Sequence, residues 1–258
     1  IFVGEKYWHK YPKSRPINAQ GEPIEKEKWY AGVSPTIEEV YKERIAAIDE
    51  MMKTHPVDGI WLDFIRWPCH WEVHNPKLED TSFDPISLSK FEADTGITIP
   101  SELSSPAEQA DWILSNHLEK WKSWRCKVIT DFVAEAAKVI KSYGKDKIVA
   151  MFGVPWTPSD YDDAIKRIIG QDYTELAKYI DIFSPMVYHR LCNRPVNWIA
   201  DVTAWVYSKT GKPVWPIVQA MSDPDKLSNE EFTKSLEVAR KAKGSQGVIV
   251  FTIGEVMR

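Results

Sequence analysis

The sequence predicts an α/β fold of the (β/α)8 TIM-barrel type, and three observations support this prediction. Helical and strand patterns alternate from one end of the 258 residues to the other, as they do in a parallel sheet covered by helices. No glycine-rich phosphate loop follows any predicted strand, which disfavours a nucleotide-binding open sheet. Polar and aromatic residues instead follow nearly every predicted strand, as a barrel with one ring-shaped site requires.

Length and composition favour one large domain. Hydrophobic residues make up 43% and charged residues 27% of the chain, which is typical of a globular protein with ample chain for a core. The net charge of -4 provides no basic surface for nucleic acid, and no apolar run is long enough to span a membrane. We therefore expect a single barrel domain over 1–258. Because the chain begins at Ile1 rather than Met, we also expect a processed product or an excised piece.

The cysteine and tryptophan counts bear on the kind of site. Cys69, Cys126 and Cys192 are too few for a disulfide scaffold and lack metal-cluster spacing, so they form one disulfide with a spare thiol or three free thiols. The twelve tryptophans are unusual, because a buried indole N–H needs a hydrogen-bond partner. They indicate a cleft that stacks flat ligands such as sugar rings, a tryptophan-rich core, or a mixture of the two, which we favour.

The stretch 57–68 is the central element of the predicted fold. Residues 60–62 form a short apolar run, as expected for a parallel strand covered on both faces. Asp63 and Arg66 follow at its carboxyl end, where parallel α/β folds bind their ligands. A carboxylate is costly to desolvate there without a partner or a task. The two residues therefore form either a structural ion pair or part of a catalytic site.

Before this strand, the pattern predicts a strand remnant at 1–4, a polar loop at 12–27 and a helix from Ser34 to about Lys53. Ser34 is the expected N-cap of that helix, and Pro35 suits its first turn.

After this strand comes an irregular excursion at about 69–106, longer than an ordinary βα loop and therefore suggestive of function. It includes a predicted helix at 85–95 capped by Asp84. A long helix is expected at about 106–143.

The second half of the chain continues the alternation to the end. The expected strands are 148–154, 181–188, 213–219 and 247–252, and the expected helices are 161–169, 173–178, 196–210 and 228–243. The whole chain then has about six strands, fewer than the eight of a full barrel. Either two strands are disguised in the irregular regions or the first two βα units lie upstream of Ile1.

The segment Asp58–Pro68, DGIWLDFIRWP, resembles the DGIxLDxIRxP signature of glycoside-hydrolase-like (β/α)8 barrels related to secreted and lipoprotein enzymes of bacteria. The preceding Trp29–Thr36 is similar to the segment before that family's fourth strand, while 181–188 and 247–252 resemble its sixth and eighth strands. The resemblance implies that 1–4 is the third strand and that the first two units are missing. It also implies a glycoside hydrolase acting on a polysaccharide or oligosaccharide, without a cofactor, in an extracellular or periplasmic location.

Glycoside hydrolysis usually needs two carboxyl groups across the scissile bond. The resemblance places one of them at Asp63, and a carboxylate beside Arg66 stays ionised, which suits a nucleophile or charge-stabilising group. For the second acid we favour Glu5, which directly follows the strand remnant. Glu255 ranks lower because it lies near the end of the chain, and Glu72 and Asp84 rank lower as solvent-exposed or helix-capping residues.

Six residues at strand ends are expected to contact substrate. Trp61 is assigned to barrel packing instead, although it lies beside the predicted acid. The expected contacts are Arg66, Trp67, Trp156, Tyr188, His189 and Gln219.

Two other classes of function remain open. His70 and His74 have the spacing of a helical metal pair beside Cys69 and Glu72, which would suit a metal-dependent polysaccharide deacetylase. The local sequence does not look helical, so we predict no metal site. A catalytically inactive barrel that only binds glycans is the third class. The oligomeric state stays open, because a barrel that lacks two strands needs a partner chain or upstream residues at its edges.

Overall fold

A computed structural model describes residues 1–27, 30–221 and 227–252. Its strands are β1 (Gly59–Leu62), β2 (Ile148–Gly153), β3 (Ile182–Pro185), β4 (Ile217–Gln219) and β5 (Ile249–Phe251). Its helices are α1 (Glu5–Lys10), α2 (Glu38–Thr54), α3 (Pro85–Thr95), α4 (Pro106–Asn116), α5 (Leu118–Ser142), α6 (Ala164–Arg167), α7 (Tyr173–Leu176), α8 (Trp198–Thr210) and α9 (Asn229–Lys241), with a 3-10 turn at Pro12–Ser14.

The strands pair in parallel. β1, β2 and β3 form one sheet in that order, and β4 pairs with β5. Single parallel bridges from Phe183 to Val214 and from Met186 to Ile217 connect β3 to the chain that leads into and forms β4. The five strands therefore follow one another in chain order along an arc, and their carboxyl ends lie on one side. This confirms the predicted α/β fold, while closure into an eight-stranded barrel stays a prediction.

The first residues extend this arc beside β1. The Ile1 nitrogen donates to the Asp63 carbonyl oxygen at 2.6 Å, and the Phe2 amide donates to the Phe64 carbonyl oxygen at 3.0 Å. On the other side, Val3 forms an antiparallel bridge with Gly32. The predicted strand remnant thus lies next to the strand that carries Asp63, as the resemblance implies for a third strand beside a fourth.

Helices cover the outside of the arc, and α5 supplies much of the core. Its buried face includes Trp121, Trp124 and Phe132, spaced so that they share one side of a helix. Among the described residues, seven of the twelve tryptophans are buried, so tryptophan serves mainly the core. No helix in the described ranges is long and apolar enough to cross a bilayer.

Side-chain hydrogen bonds determine where several of the helices begin. Asp84 caps α3 as predicted, by accepting hydrogen bonds from the amides of Ile86 and Ser87. Ser228 caps α9 in the same way. The prediction that α2 begins at Ser34 is wrong. The Ser34 hydroxyl is buried, 2.7 Å from the Thr36 hydroxyl, and the helix starts at Glu38.

Two other predicted helices differ in length. The long helix at 106–143 is two helices, α4 and α5, because His117 leaves the helical region at φ -137° and ψ 25°. The break lets α4 pack against α5. The helix predicted at 161–169 shrinks to α6, since Tyr161 and the two aspartates after it all have positive φ, a conformation that no right-handed helix contains.

Candidate active site

Asp63 lies at the carboxyl end of β1. Its side chain is half-buried, and Oδ1 accepts a hydrogen bond from the Phe64 amide at 2.7 Å. Phe64 has a φ of 53°, a left-handed conformation that is costly for a bulky side chain and that concentrates at functional sites. This turn ends the strand and fixes the backbone beside the Asp63 carboxylate.

Arg66 is the buried charge of the site. Only 1% of its side chain is exposed, and it lies 3.9 Å from Glu72 Oε1, with its guanidinium over the Phe64 ring at 4.4 Å. Burial acts to lower the pKa of Arg66, but Tyr30, Glu72 and Asp63 together raise it above its usual value. None of its three side-chain nitrogens has a hydrogen-bond partner in the described part of the chain. A buried guanidinium in this state is expected to bind an acceptor from a ligand or from water.

Glu72 faces this guanidinium from the loop after β1. Its side chain is 14% exposed, and burial raises its pKa above the usual value, opposed by Arg66 and reinforced by the charge of Asp63. Oε2 is buried without a hydrogen-bond partner among the residues described, as is Nε1 of the neighbouring Trp71. Asp63, Arg66 and Glu72 therefore form one electrostatically coupled group at the carboxyl edge of the sheet, which we term the Asp63 site.

Aromatic rings form the wall of the Asp63 site. Tyr188, after β3, stacks on Trp71 at 5.9 Å between ring centroids and on Phe251 at 5.7 Å. Burial, Glu72 and Asp63 raise the pKa of the Tyr188 hydroxyl, which places it in the same electrostatic field. Burial also raises the pKa of Tyr30 to about 12. Phe251 is 44% exposed, so it presents an aromatic surface to solvent beside this wall.

The raised pKa of Glu72 leads to a prediction about stability. The folded protein holds this proton at a higher pH than the unfolded chain does, so stability is greatest below the unfolded pKa and falls as pH rises through the folded one. We expect Glu72→Gln to raise the Tm at pH 7 but not at pH 4, by about 2–4 °C for each kcal/mol relieved. Thermal unfolding at the two pH values measures this difference.

Glu79 offers a matched control on the same loop. Its carboxylate accepts from Asn18 at 3.0 Å and pairs with Lys77 at 3.1 Å, so Glu79→Gln should give no gain at pH 7. Equal Tm changes for Glu72→Gln at both pH values would contradict the pKa assignment.

Glu5, the favoured second acid, is in a more exposed environment than Glu72. It is the first residue of α1, its side chain is 57% exposed, and it is paired with Lys26. Its hydrogen bond with Lys26 lowers its pKa, which opposes a role as a proton donor near neutral pH. The assignment of Glu5 stays a prediction, and the environment of Glu72 meets the requirements of an acid better.

Two expected substrate contacts are engaged in packing, and their contact with substrate stays a prediction. Trp67 is fully buried, its indole N–H donates to the Arg125 carbonyl oxygen at 3.1 Å, and the Arg125 guanidinium lies over its ring. Gln219 is also fully buried. Its amide accepts from the Leu191 amide at 3.1 Å and donates to the Met221 carbonyl oxygen at 3.0 Å.

The remaining expected substrate contacts include one packed residue and two residues beside cavities or the aromatic wall. Trp156 is 2% exposed and meets the Tyr161 ring edge-on, so packing occupies it as well. Trp61 packs on Trp215, in line with the role assigned to it. Tyr188 belongs to the wall of the Asp63 site, and His189 lines a pocket of its own.

The structure also shows the surroundings of the candidate metal ligands and of the cysteines. His70 Nδ1 lies 2.9 Å from Glu27 Oε2, and the described ranges contain no group of three metal-ligating side chains. All three cysteines are buried free thiols, and burial raises their pKa values to about 12, which makes them poor nucleophiles. Trp29 and Glu255 lie outside the described residues.

A parallel α/β arc with a buried carboxyl group and an aromatic wall at its carboxyl edge places the candidate site where α/β barrels carry their active sites. The chain belongs to the family described as "Putative glycosyl hydrolase domain", whose sequence profile matches residues 2–204. This confirms the resemblance read from Asp58–Pro68. No curated protein matches the chain.

Solved structures support the same fold. The glycoside hydrolase domain of PgaB (BpsB) from Bordetella bronchiseptica matches with a TM-score of 0.70 at 13% identity, over 95% of this chain and 66% of that one. A beta-galactosidase from the psychrophilic Marinomonas ef1 matches with a TM-score of 0.65 at 10% identity, over 96% of this chain and 42% of that one. A cold-adapted beta-galactosidase from Rahnella sp. R3 matches with a TM-score of 0.63 at 14% identity, over 96% of this chain and 38% of that one. The chain thus spans less than two thirds of each of these structures.

Proposed function

We propose that the chain is a glycoside hydrolase that cleaves a polysaccharide or oligosaccharide at the Asp63 site. One observation carries the proposal: Glu72, a buried carboxyl group with a raised pKa, lies in the field of a second carboxylate, Asp63, in a chain of the glycosyl hydrolase family. A buried carboxyl group that holds its proton, together with a second carboxyl group, is what acid-assisted cleavage of a glycosidic bond needs.

The two carboxyl groups take different roles. Glu72 is the general acid, because burial keeps its proton in place until the leaving oxygen takes it. Asp63 is the nucleophile or the group that stabilises positive charge on the sugar ring, because it lies at the carboxyl end of β1, where α/β barrels bind their substrates. Arg66 limits how far the pKa of Glu72 rises.

The position of the Asp63 site suits a sugar chain. The exposed ring of Phe251 beside Tyr188 offers an apolar surface on which a sugar ring can stack. We extend the proposal to an extracellular or periplasmic location, where polysaccharides of this kind occur.

The proposal is tested by product analysis on purified protein. A panel of neutral, amino-sugar and uronate polysaccharides is incubated with the chain, and new reducing ends and free acetate are measured together. A hydrolase produces reducing ends, a deacetylase produces acetate, and an inactive glycan-binding barrel produces neither while still retarding the polymer in an affinity gel. We expect reducing ends from at least one polymer. Acetate alone, or retention without product, would overturn the proposal.

A further inference from the structure

A pocket lies next to the Asp63 site along the chain. It has a volume of about 280 Å³ and is lined by His74, His189, Arg190, Asn193, Arg194 and Glu231, among others. The loop that carries Trp71 and Glu72 continues to His74, and the chain that carries Tyr188 continues to His189. We call this cavity the His189 pocket. Two of its lining segments are thus continuous along the chain with segments of the Asp63 site, and it has room for about one sugar unit.

The His189 pocket contains a buried group without a partner. The ring of His189 is 1% exposed, and its Nε2 lies 3.0 Å from Glu231 Oε1. Nδ1 of the same ring is buried and has no hydrogen-bond partner among the described residues. Leaving a buried polar atom unsatisfied costs free energy, and a ligand in the pocket would recover it.

Among the described residues, the lining carries two arginines and one acid. That acid, Glu231, is already engaged by His189 and lies 3.8 Å from Arg190. Arg194 Nη2 donates to Asp160 at 2.8 Å, but the guanidinium carries five N–H donors and its side chain remains 30% exposed. Guanidinium groups match the oxygens of carboxylates and sulfates in charge and geometry.

We propose that the His189 pocket is a subsite for a sugar unit that carries an anionic substituent, a carboxylate or a sulfate. The inference rests on the proposed function for its substrate class, because the unit bound here is a neighbour of the unit cleaved at the Asp63 site. Arg194 binds the anionic group, and Nδ1 of His189, whose Nε2–H donates to Glu231, accepts from a hydroxyl of the same sugar. The protein would thus select an acidic polysaccharide.

The test uses monosaccharides, so that binding is measured without turnover and without knowledge of the linkage. Amide NMR titrations compare glucuronate and galacturonate with glucose and galactose, and glucose 6-sulfate serves as the sulfate arm. We expect an anionic sugar to bind about fivefold or more tighter than its neutral counterpart and to shift the amides of residues 188–196. Preference for the uronates identifies a carboxylate, and preference for the sulfate ester identifies a sulfate.

Two variants and one control complete the test. Arg194→Gln should lower the affinity for the anionic sugar to within about twofold of the affinity for its neutral counterpart. Asn193→Asp changes an exposed position of the lining. It should weaken the binding of the anionic sugar, because it adds a like charge without disturbing the core. Arg240→Gln removes the same charge from an exposed site on α9 outside the pocket and should leave binding unchanged.

Equal affinities for anionic and neutral sugars, shifts confined to another surface, or the same loss in Arg240→Gln would overturn the subsite. These outcomes leave the hydrolase proposal intact. Conversely, a polysaccharide panel that yields no reducing ends overturns the hydrolase and leaves a measured anion preference standing.

Discussion

Asp63→Asn is expected to fold like the parent chain and to lose at least about a thousandfold in kcat/KM, which corresponds to about 4 kcal/mol of transition-state stabilisation. The fold survives because the amide oxygen of asparagine can still accept the Phe64 amide hydrogen bond made by Asp63 Oδ1. Activity is lost because the variant has no negative charge to attack the sugar or to stabilise its positive transition state. Reducing-end assays on the cleaved polymer measure the rate, and circular dichroism measures the fold.

Asp58 provides the matched control at the opposite end of the same strand. Its side chain is fully exposed, 3.8 Å from Lys147 Nζ, so Asp58→Asn makes the same chemical change far from the carboxyl edge. We expect that variant to retain its rate within about twofold, as is usual for an exposed ion pair. Full turnover by Asp63→Asn would remove Asp63 from the mechanism, and equal losses in both variants would indicate a general effect of the substitutions.

The sequence was sufficient for the features that follow from local pattern. The strand at 59–62, its position before Asp63, and the caps Asp84 and Ser228 all follow from short-range chemistry. Apolar runs must be covered, and helix ends need acceptors for their free amides. The arc of parallel strands follows from the same pattern, because alternating strands and helices leave few ways to connect.

The sequence was insufficient where long-range packing decides burial. Glu72 looked like a solvent residue in a polar loop, and only the folded loop shows that it returns to Arg66 and loses its water. Trp67 looked like a cleft residue because it follows the acid, yet its ring meets Arg125 from a helix far along the chain. A signal for Glu72 was present in its neighbour Trp71, since a large aromatic residue in a polar loop indicates that the loop folds back on the core.

Glu72→Gln is expected to lower kcat/KM on the polymer by about a hundredfold to ten-thousandfold, the range typical of a lost general acid. The loss depends on the leaving group. 2,4-Dinitrophenolate leaves a sugar without being protonated, so the variant should cleave a dinitrophenyl glycoside at nearly the parent rate. A glycoside with an alkyl leaving group should be cleaved by the variant as slowly as the polymer is. In the parent, activity falls as pH rises through the raised pKa of Glu72, and this limb should disappear in the variant because glutamine carries no titrating proton.

Glu5→Gln decides between the two candidate acids. Glu5 is exposed and paired with Lys26, so its substitution should leave both the rate and the pH profile unchanged. If Glu5→Gln instead removes the high-pH limb while Glu72→Gln keeps it, the acid is the one that directly follows the first strand, and burial at Glu72 is structural. Equal losses on dinitrophenyl and alkyl substrates in Glu72→Gln would likewise show that Glu72 binds or positions the sugar and does not donate the proton.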